Sequence, residues 1–212
     1  MVTQTELEAL LAAGNEIRSF EVKGPGSPGG LGDKAYVARI ARAAMAMGNH
    51  RDGGLVVLGI DDKQMGAMVP GLGPTQLNEW SDYDNVSSAL AKYSDPPVTL
   101  ALHRFTLSSG AEVVVLEVSQ FEHVPHVCKR NFPDVLQDGA TYVRSLRKPE
   151  SVPIPSSVEG RELLDLATDK GVREFVARAA AAGLLPGALT PPSQAQVGEA
   201  AFNAEAEQGW TP

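Results

Sequence analysis

Four carboxylates frame two short stretches of this chain. Glu16 and Glu21 fall in "NEIRSFEVKG" (15–24), and Asp61 and Asp62 close "DGGLVVLGIDD" (52–62). An apolar run that ends on two adjacent acids has two readings. The plain one is a turn with solvated side chains. The other is a site that gathers oxygens, because Mg²⁺ and Mn²⁺ prefer oxygen ligands. A metal held that way polarises a phosphodiester and lowers the pKa of a bound water. If the stretch holding Glu21 and the run before Asp61 are neighbouring strands, the acids meet at one edge. Glu21 could instead pair with Lys23 or Arg144, and Glu16 could simply cap or face solvent.

A polyanion partner would need cations beside those acids. The formal net charge is −8, which counts against a broad electrostatic nucleic-acid binder and demands a local patch. Lys129, Arg130, Arg144, Arg147 and Lys148 supply one late in the chain, and Arg39, Arg42, Arg51 and Lys23 add charge upstream. Taken singly, each is an ordinary surface cation; as a cluster they suit phosphate contacts. The backbone at Asp52-Gly53-Gly54 offers N–H groups that a phosphate could approach, since glycine removes the side-chain obstruction. His50 is a weak general-base candidate. "HVPHVC" (123–128) raises zinc, but Pro125 breaks helical spacing and no second cysteine exists.

Other chemistries are excluded on pattern. "GPGSPGGLGDK" (24–34) lacks the Gly-Lys-Ser/Thr ending of a phosphate-binding loop and does not open a helix as a dinucleotide fingerprint does. No Gly-x-Ser-x-Gly elbow occurs. Cys128 is the sole cysteine, which precludes an intrachain disulfide and points to a reducing, cytoplasmic setting. No secretory leader and no membrane-spanning run is visible.

Periodicity supplies the elements that would position these residues. Helices are expected over 3–14, 33–48, 75–93, 156–169 and 172–183, with Thr3 and Asp33 as caps. Strands are expected at 19–23, 53–60, 98–107, 112–120 and 140–146, the third and fourth as a hairpin around "SSGA". Residues 24–32 read as a glycine-rich loop. The order implies an α+β fold with a mixed β-sheet flanked by helices and a C-terminal helical extension.

"NEIRSFEVKG", "AMGNHRDGGLVVLGIDD", "VPGL", "DPPV", "VVVLEVSQFEHVP" and "ATYVRSLRKPESVP" follow one another in the order seen in the Schlafen AlbA_2 domain, and the chain resembles that family over about residues 10–155. It departs at Val22, at Met47, Gly48 and His50, and at Leu146, which mark a divergent member. The resemblance implies a domain at 1–155; periodicity adds C-terminal helices over 156–186 packed on it, and a composition poor in large apolar residues makes 187–212 an expected flexible tail. The resemblance also implies nucleic-acid binding and, by analogy with Schlafen ribonucleases, metal-dependent cleavage of structured RNA such as tRNA. Carried over by motif, Glu16, Glu21 and Asp62 would be catalytic, and Glu16, Glu21, Asp61 and Asp62 would hold Mg²⁺ or Mn²⁺. Arg144, Arg147, Lys148, Lys129, Arg130, Arg39, Arg51 and Lys23 would bind RNA or DNA. Two alternatives stand beside it: a non-catalytic DNA-binding regulatory module, and a protein-interaction or assembly domain retaining only the fold. A homodimer is expected, because one lobe of this size covers little of a folded RNA; no sequence feature shows it.

Overall fold

In the computed structural model, residues 2–184 are described. Among these, the residues up to Thr168 make one compact unit and those from Asp169 a second. The expected tail over 187–212 lies outside the described residues.

The first unit is built on a four-stranded mixed sheet. Helix α1 (Gln4–Ala12) precedes strand β1 (Phe20–Lys23); helix α2 (Lys34–Gly48) then crosses to β2 (Gly54–Leu58), which runs parallel to β1. Helices α3 (Pro74–Ser81) and α4 (Tyr83–Leu90) and the short strand β3 (Ser94–Asp95) follow. The hairpin β4 (Leu100–Thr106) and β5 (Glu112–Val118) completes the sheet in the order β1-β2-β5-β4, with β5 antiparallel to both neighbours. Strand β6 (Val127–Cys128) pairs with β3, and β7 (Tyr142–Arg144) pairs with β8 (Ser151–Pro153). The α+β class and mixed sheet stand as expected.

Period-two alternation explains why "LVVL" reads as a continuous apolar run. Val56 and Leu58 point into a core with α2, α3 and α4, whereas Val57 points into a second core with Leu7 and Leu11 of α1. Helices cover both faces, so every strand position at the centre is buried. Thr3 and Asp33 cap α1 and α2 as their types predict, Thr3 in a reciprocal box with Glu6.

Three expectations are corrected. The single helix over 75–93 is two, because Asp82 takes an extended backbone and its carboxylate accepts from Asn85 N to start α4. The two C-terminal helices are one, α5 (Ser157–Ala181), which runs through Gly171 without a break. The 24–32 loop contains one 3-10 turn, Gly30–Gly32. The part of α5 in the first unit packs Leu163 and Leu166 against Phe121 and Val143. In the second unit, α5 continues to Ala181 and carries a Glu174–Arg178 pair one turn apart. No helix among the described residues is long and apolar enough to cross a membrane.

Asn49, just past α2, fastens the peripheral strands to this core. Its amide donates to the His126 and Tyr142 carbonyls, each at 2.9 Å, and its Oδ1 accepts from His126 N at 2.8 Å. Asn49→Ala strands three buried backbone groups and should cost about 1–3 kcal/mol, read as a fall in the urea midpoint. An unchanged midpoint would show that the three bonds are replaced by solvent.

Candidate functional site

β1 and β2 are neighbouring strands, the condition under which acids from the two stretches meet at one edge. Glu21 lies at the middle of β1, beside Val56, and the 3-10 helix Asp62–Ala67 begins just past the end of β2. Glu16, Glu21 and Asp62 line one cleft of about 860 Å³, with Lys23, Arg42, Lys148 and Glu150 on its walls. Asp61 is not in that lining. Its carboxylate lies over Gly24, where an added Cβ would sit 2.7 Å from Oδ1.

Glu21 is 5 % exposed and fully engaged. One carboxylate oxygen accepts from Lys23 Nζ; the other accepts from Arg144 Nη1 and from Ser151 Oγ, the latter at 2.6 Å. Burial works against its ionisation, but the charges of Lys23 and Arg144 outweigh that and hold it below the ordinary carboxylate range. Glu16 is 17 % exposed. Its Oε1 accepts from Val22 N at 2.8 Å. Burial, with the Glu21 charge adding to it, raises Glu16 above the ordinary range despite that bond. Two neighbouring carboxylates are thus pushed in opposite directions.

Arg144 is not at the surface. Its side chain is 0 % exposed and donates to the Ile17, Arg18 and Phe20 carbonyls at 3.0, 3.0 and 3.3 Å, besides Glu21 and Ser151. The expectation that it grips phosphate is therefore corrected: its fork is spent holding the loop before β1. Ser151 faces Arg144 across the β7–β8 ladder, a role nothing in its local sequence marks.

The remaining predicted cations are dispersed. Lys23 and Lys148 line the cleft, Lys148 pairing with Glu150. Arg147 and Lys129 are exposed and outside the cleft lining, and Arg130 lines a different groove. Arg39 stands over the Tyr36 ring at 5.7 Å, and Arg51 lines a small cavity with Arg18 and His50. His50 Nδ1 donates to the Gly53 carbonyl at 3.1 Å, and burial lowers its pKa. The His123–Cys128 segment forms no metal group: His126 Nδ1 donates to the Pro96 carbonyl at 2.8 Å and Cys128 Sγ to the Arg130 carbonyl at 3.3 Å.

The glycine pair at 53–54 serves packing rather than phosphate. A Cβ on Gly53, whose φ is +74°, would lie 2.1 Å from the Val118 carbonyl oxygen; one on Gly54 would lie 2.4 Å from Met47 Sδ. The close approach made possible there is by the chain's own backbone.

The donor set can be weighed against a divalent ion. Both Glu21 oxygens already face cations or a hydroxyl, Glu16 Oε1 takes a backbone N–H, and among the described residues no three His, Cys, Asp or Glu side chains form a metal-holding group. In this arrangement the residues do not fit Mg²⁺ or Mn²⁺. A cation at Glu21 would first have to displace Lys23.

A mixed sheet covered on both faces, with a carboxylate-and-lysine cleft at the β1 edge, defines an α+β domain with a polar edge site. Residues 16–152 match the family described as Schlafen, AlbA_2, and the chain belongs to that family. No curated protein matches the chain. Among solved structures it is similar to the DIP2311 protein from Corynebacterium diphtheriae, with 17% identity and a TM-score of 0.48, over 71% of this chain and 26% of that one. The chain thus spans about a quarter of that protein's chain.

Proposed function

We propose that this chain binds RNA or DNA at the β1-edge cleft and cleaves structured RNA, such as tRNA, there. The observation that carries this reading is the placing of Glu16, Glu21 and Asp62 on one cleft with Lys23, Arg42 and Lys148. Arg42, which has no ion pair among the described residues, neutralises a phosphate there, with the paired Lys23 and Lys148 beside it. Carboxylates whose environments push their proton affinities apart are the usual mark of acid–base work. Glu21, kept ionised, fixes Lys23 in place. Glu16 is the group that takes or gives a proton at the attacking or leaving oxygen. A homodimer would extend the surface available to a folded RNA.

Mg²⁺ or Mn²⁺ enters this reading only through a rearrangement in which Lys23 leaves Glu21. A non-catalytic DNA-binding module is the second reading, favoured by how completely Glu21 is committed to Arg144, Lys23 and Ser151.

The test is labelled tRNA, single-stranded DNA and duplex DNA, each incubated with the protein in Mg²⁺, Mn²⁺ or chelator and each also run on a binding gel. Cleavage of tRNA supports the ribonuclease reading, and its loss in chelator would show that cleavage needs a divalent ion. Binding without cleavage supports the DNA- or RNA-binding module. Neither binding nor cleavage overturns both, and leaves a protein-interaction domain.

A further inference from the structure

A second concavity lies away from the carboxylates. It has a volume of about 400 Å³ and is lined by Lys34, Lys92, Arg130, Asn131, Tyr93 and Phe132, with apolar residues beneath. The three cations come from three separate segments: the first residue of α2, the turn after α4 and the residue pair after β6. All three are exposed. Among the described residues none of their side chains has an ion pair or hydrogen bond, and no Asp or Glu lines the groove.

The frame that holds them is fixed. Lys129 N donates to the Tyr93 carbonyl at 2.9 Å, which joins the turn after α4 to β6. Phe132 and Leu136 exchange backbone bonds at 2.9 Å, and Asn131 Oδ1 accepts from Asp138 N at 2.9 Å, which closes the loop bearing Arg130 and Phe132. The nearest capping acid, Asp33, is already bonded to Tyr36 N and Ser27 Oγ at 2.9 and 2.8 Å. The cleft differs in kind. There Glu150 pairs with Lys148 and Glu21 with Lys23, so its cations are largely spent on the chain's own acids.

We propose that this groove, Lys34–Lys92–Arg130 with Phe132, is a separate binding site for the phosphodiester backbone of single-stranded nucleic acid, with a base resting on the half-buried Phe132 ring. Unpaired cations converging on one concavity meet phosphates without first giving up an internal partner. An aromatic face beside them is the arrangement that grips unpaired bases irrespective of sequence. The inference rests on the nucleic-acid reading of the chain but assigns anchoring to this groove and chemistry to the cleft. Lys34 and Arg42 stand eight residues apart on α2, about 12 Å along its axis at the usual rise. A strand anchored at Lys34 is therefore within reach of the cleft wall at Arg42.

The test is fluorescence anisotropy of a labelled oligouridylate and a labelled oligothymidylate across a salt series. It compares the wild type, the triple variant Lys34→Gln/Lys92→Gln/Arg130→Gln, Phe132→Leu and the cleft variant Lys148→Gln. Thermal melts establish that each is folded. The triple variant should lower the magnitude of the log K against log salt slope by about 2, and weaken binding tenfold to a hundredfold at ~0.1 M salt. Phe132→Leu should weaken binding about tenfold and leave the slope unchanged. Wild-type binding that survives the triple variant intact overturns the groove while leaving the cleft reading in place. A wild type that binds neither oligonucleotide overturns both.

Discussion

Arg144→Met should destabilise the folded domain by about 3–5 kcal/mol, more than any other single change considered for this chain. The side chain is wholly buried, and its removal leaves the Glu21 carboxylate, itself almost fully buried, with only Lys23 and Ser151. It also strands the Ile17, Arg18 and Phe20 carbonyls. Urea unfolding of wild type and variant measures the loss, and a change under ~1 kcal/mol would show that water or Lys23 takes over the role. The double variant Arg144→Met/Glu21→Met should recover part of the stability, because replacing both members of a buried pair removes the uncompensated charge. The pH dependence follows the same pair. Glu21 is held below the ordinary carboxylate range, so its contribution is full above that range, ~4.3, and is lost as pH falls through its folded value. The acid limb of the stability curve should therefore be shallower in Arg144→Met. Glu16 is raised, so its contribution has the opposite sense: present below the ordinary range and lost as pH rises through its folded value.

Much of this architecture was legible in residue order. Thr3 and Asp33 announce their helices, the β4–β5 hairpin follows from alternation around "SSGA", and the short branched apolar run at 54–58 reads as a buried strand. Asp82 hid the break between α3 and α4, because an aspartate inside an apolar-periodic window looks like a surface residue until its backbone turns extended. Gly171 misled in the other direction: a glycine costs a helix about 1 kcal/mol, which α5 evidently bears. At the site, the resemblance rather than the spacing named Glu16, Glu21 and Asp62, and their meeting depended on the two strands being neighbours; Lys23 and Arg144 were visible as partners for Glu21. What no local pattern carried was depth. A strand arginine followed by Arg147 and Lys148 reads as a phosphate grip, and only the β7–β8 ladder against the loop before β1 shows it to be interior. The preference for Asp62 over Asp61 came from the resemblance; in the structure the 3-10 helix starts at Asp62, which lines the cleft, while Asp61 does not.

Glu16→Gln should lower tRNA cleavage by about 10²–10⁴-fold while leaving tRNA binding nearly unchanged. The substitution keeps the shape and the carbonyl oxygen that accepts from Val22 N; it removes the group that exchanges a proton together with a negative charge 3.7 Å from Arg144 Nη2. Glu21→Gln is the less informative variant, because it also takes away the anion that Arg144 and Lys23 face and so disturbs the fold. The pH profile separates a chemical role from a structural one. With Glu16 raised by burial and by Glu21, the wild-type rate should carry a limb that titrates above the ordinary carboxylate range, and Glu16→Gln should erase that limb. Cleavage that persists within a few-fold in Glu16→Gln, with the limb intact, would remove Glu16 from the chemistry and shift the proton-transfer role to Asp62, which, unlike Glu21 and Glu150, makes no ion pair among the described residues. Retained binding with no cleavage in either protein would instead leave the cleft as a surface that holds nucleic acid without acting on it. In that case, the oppositely tuned carboxylates would serve only to keep Lys23 and Arg144 where the β1 edge needs them.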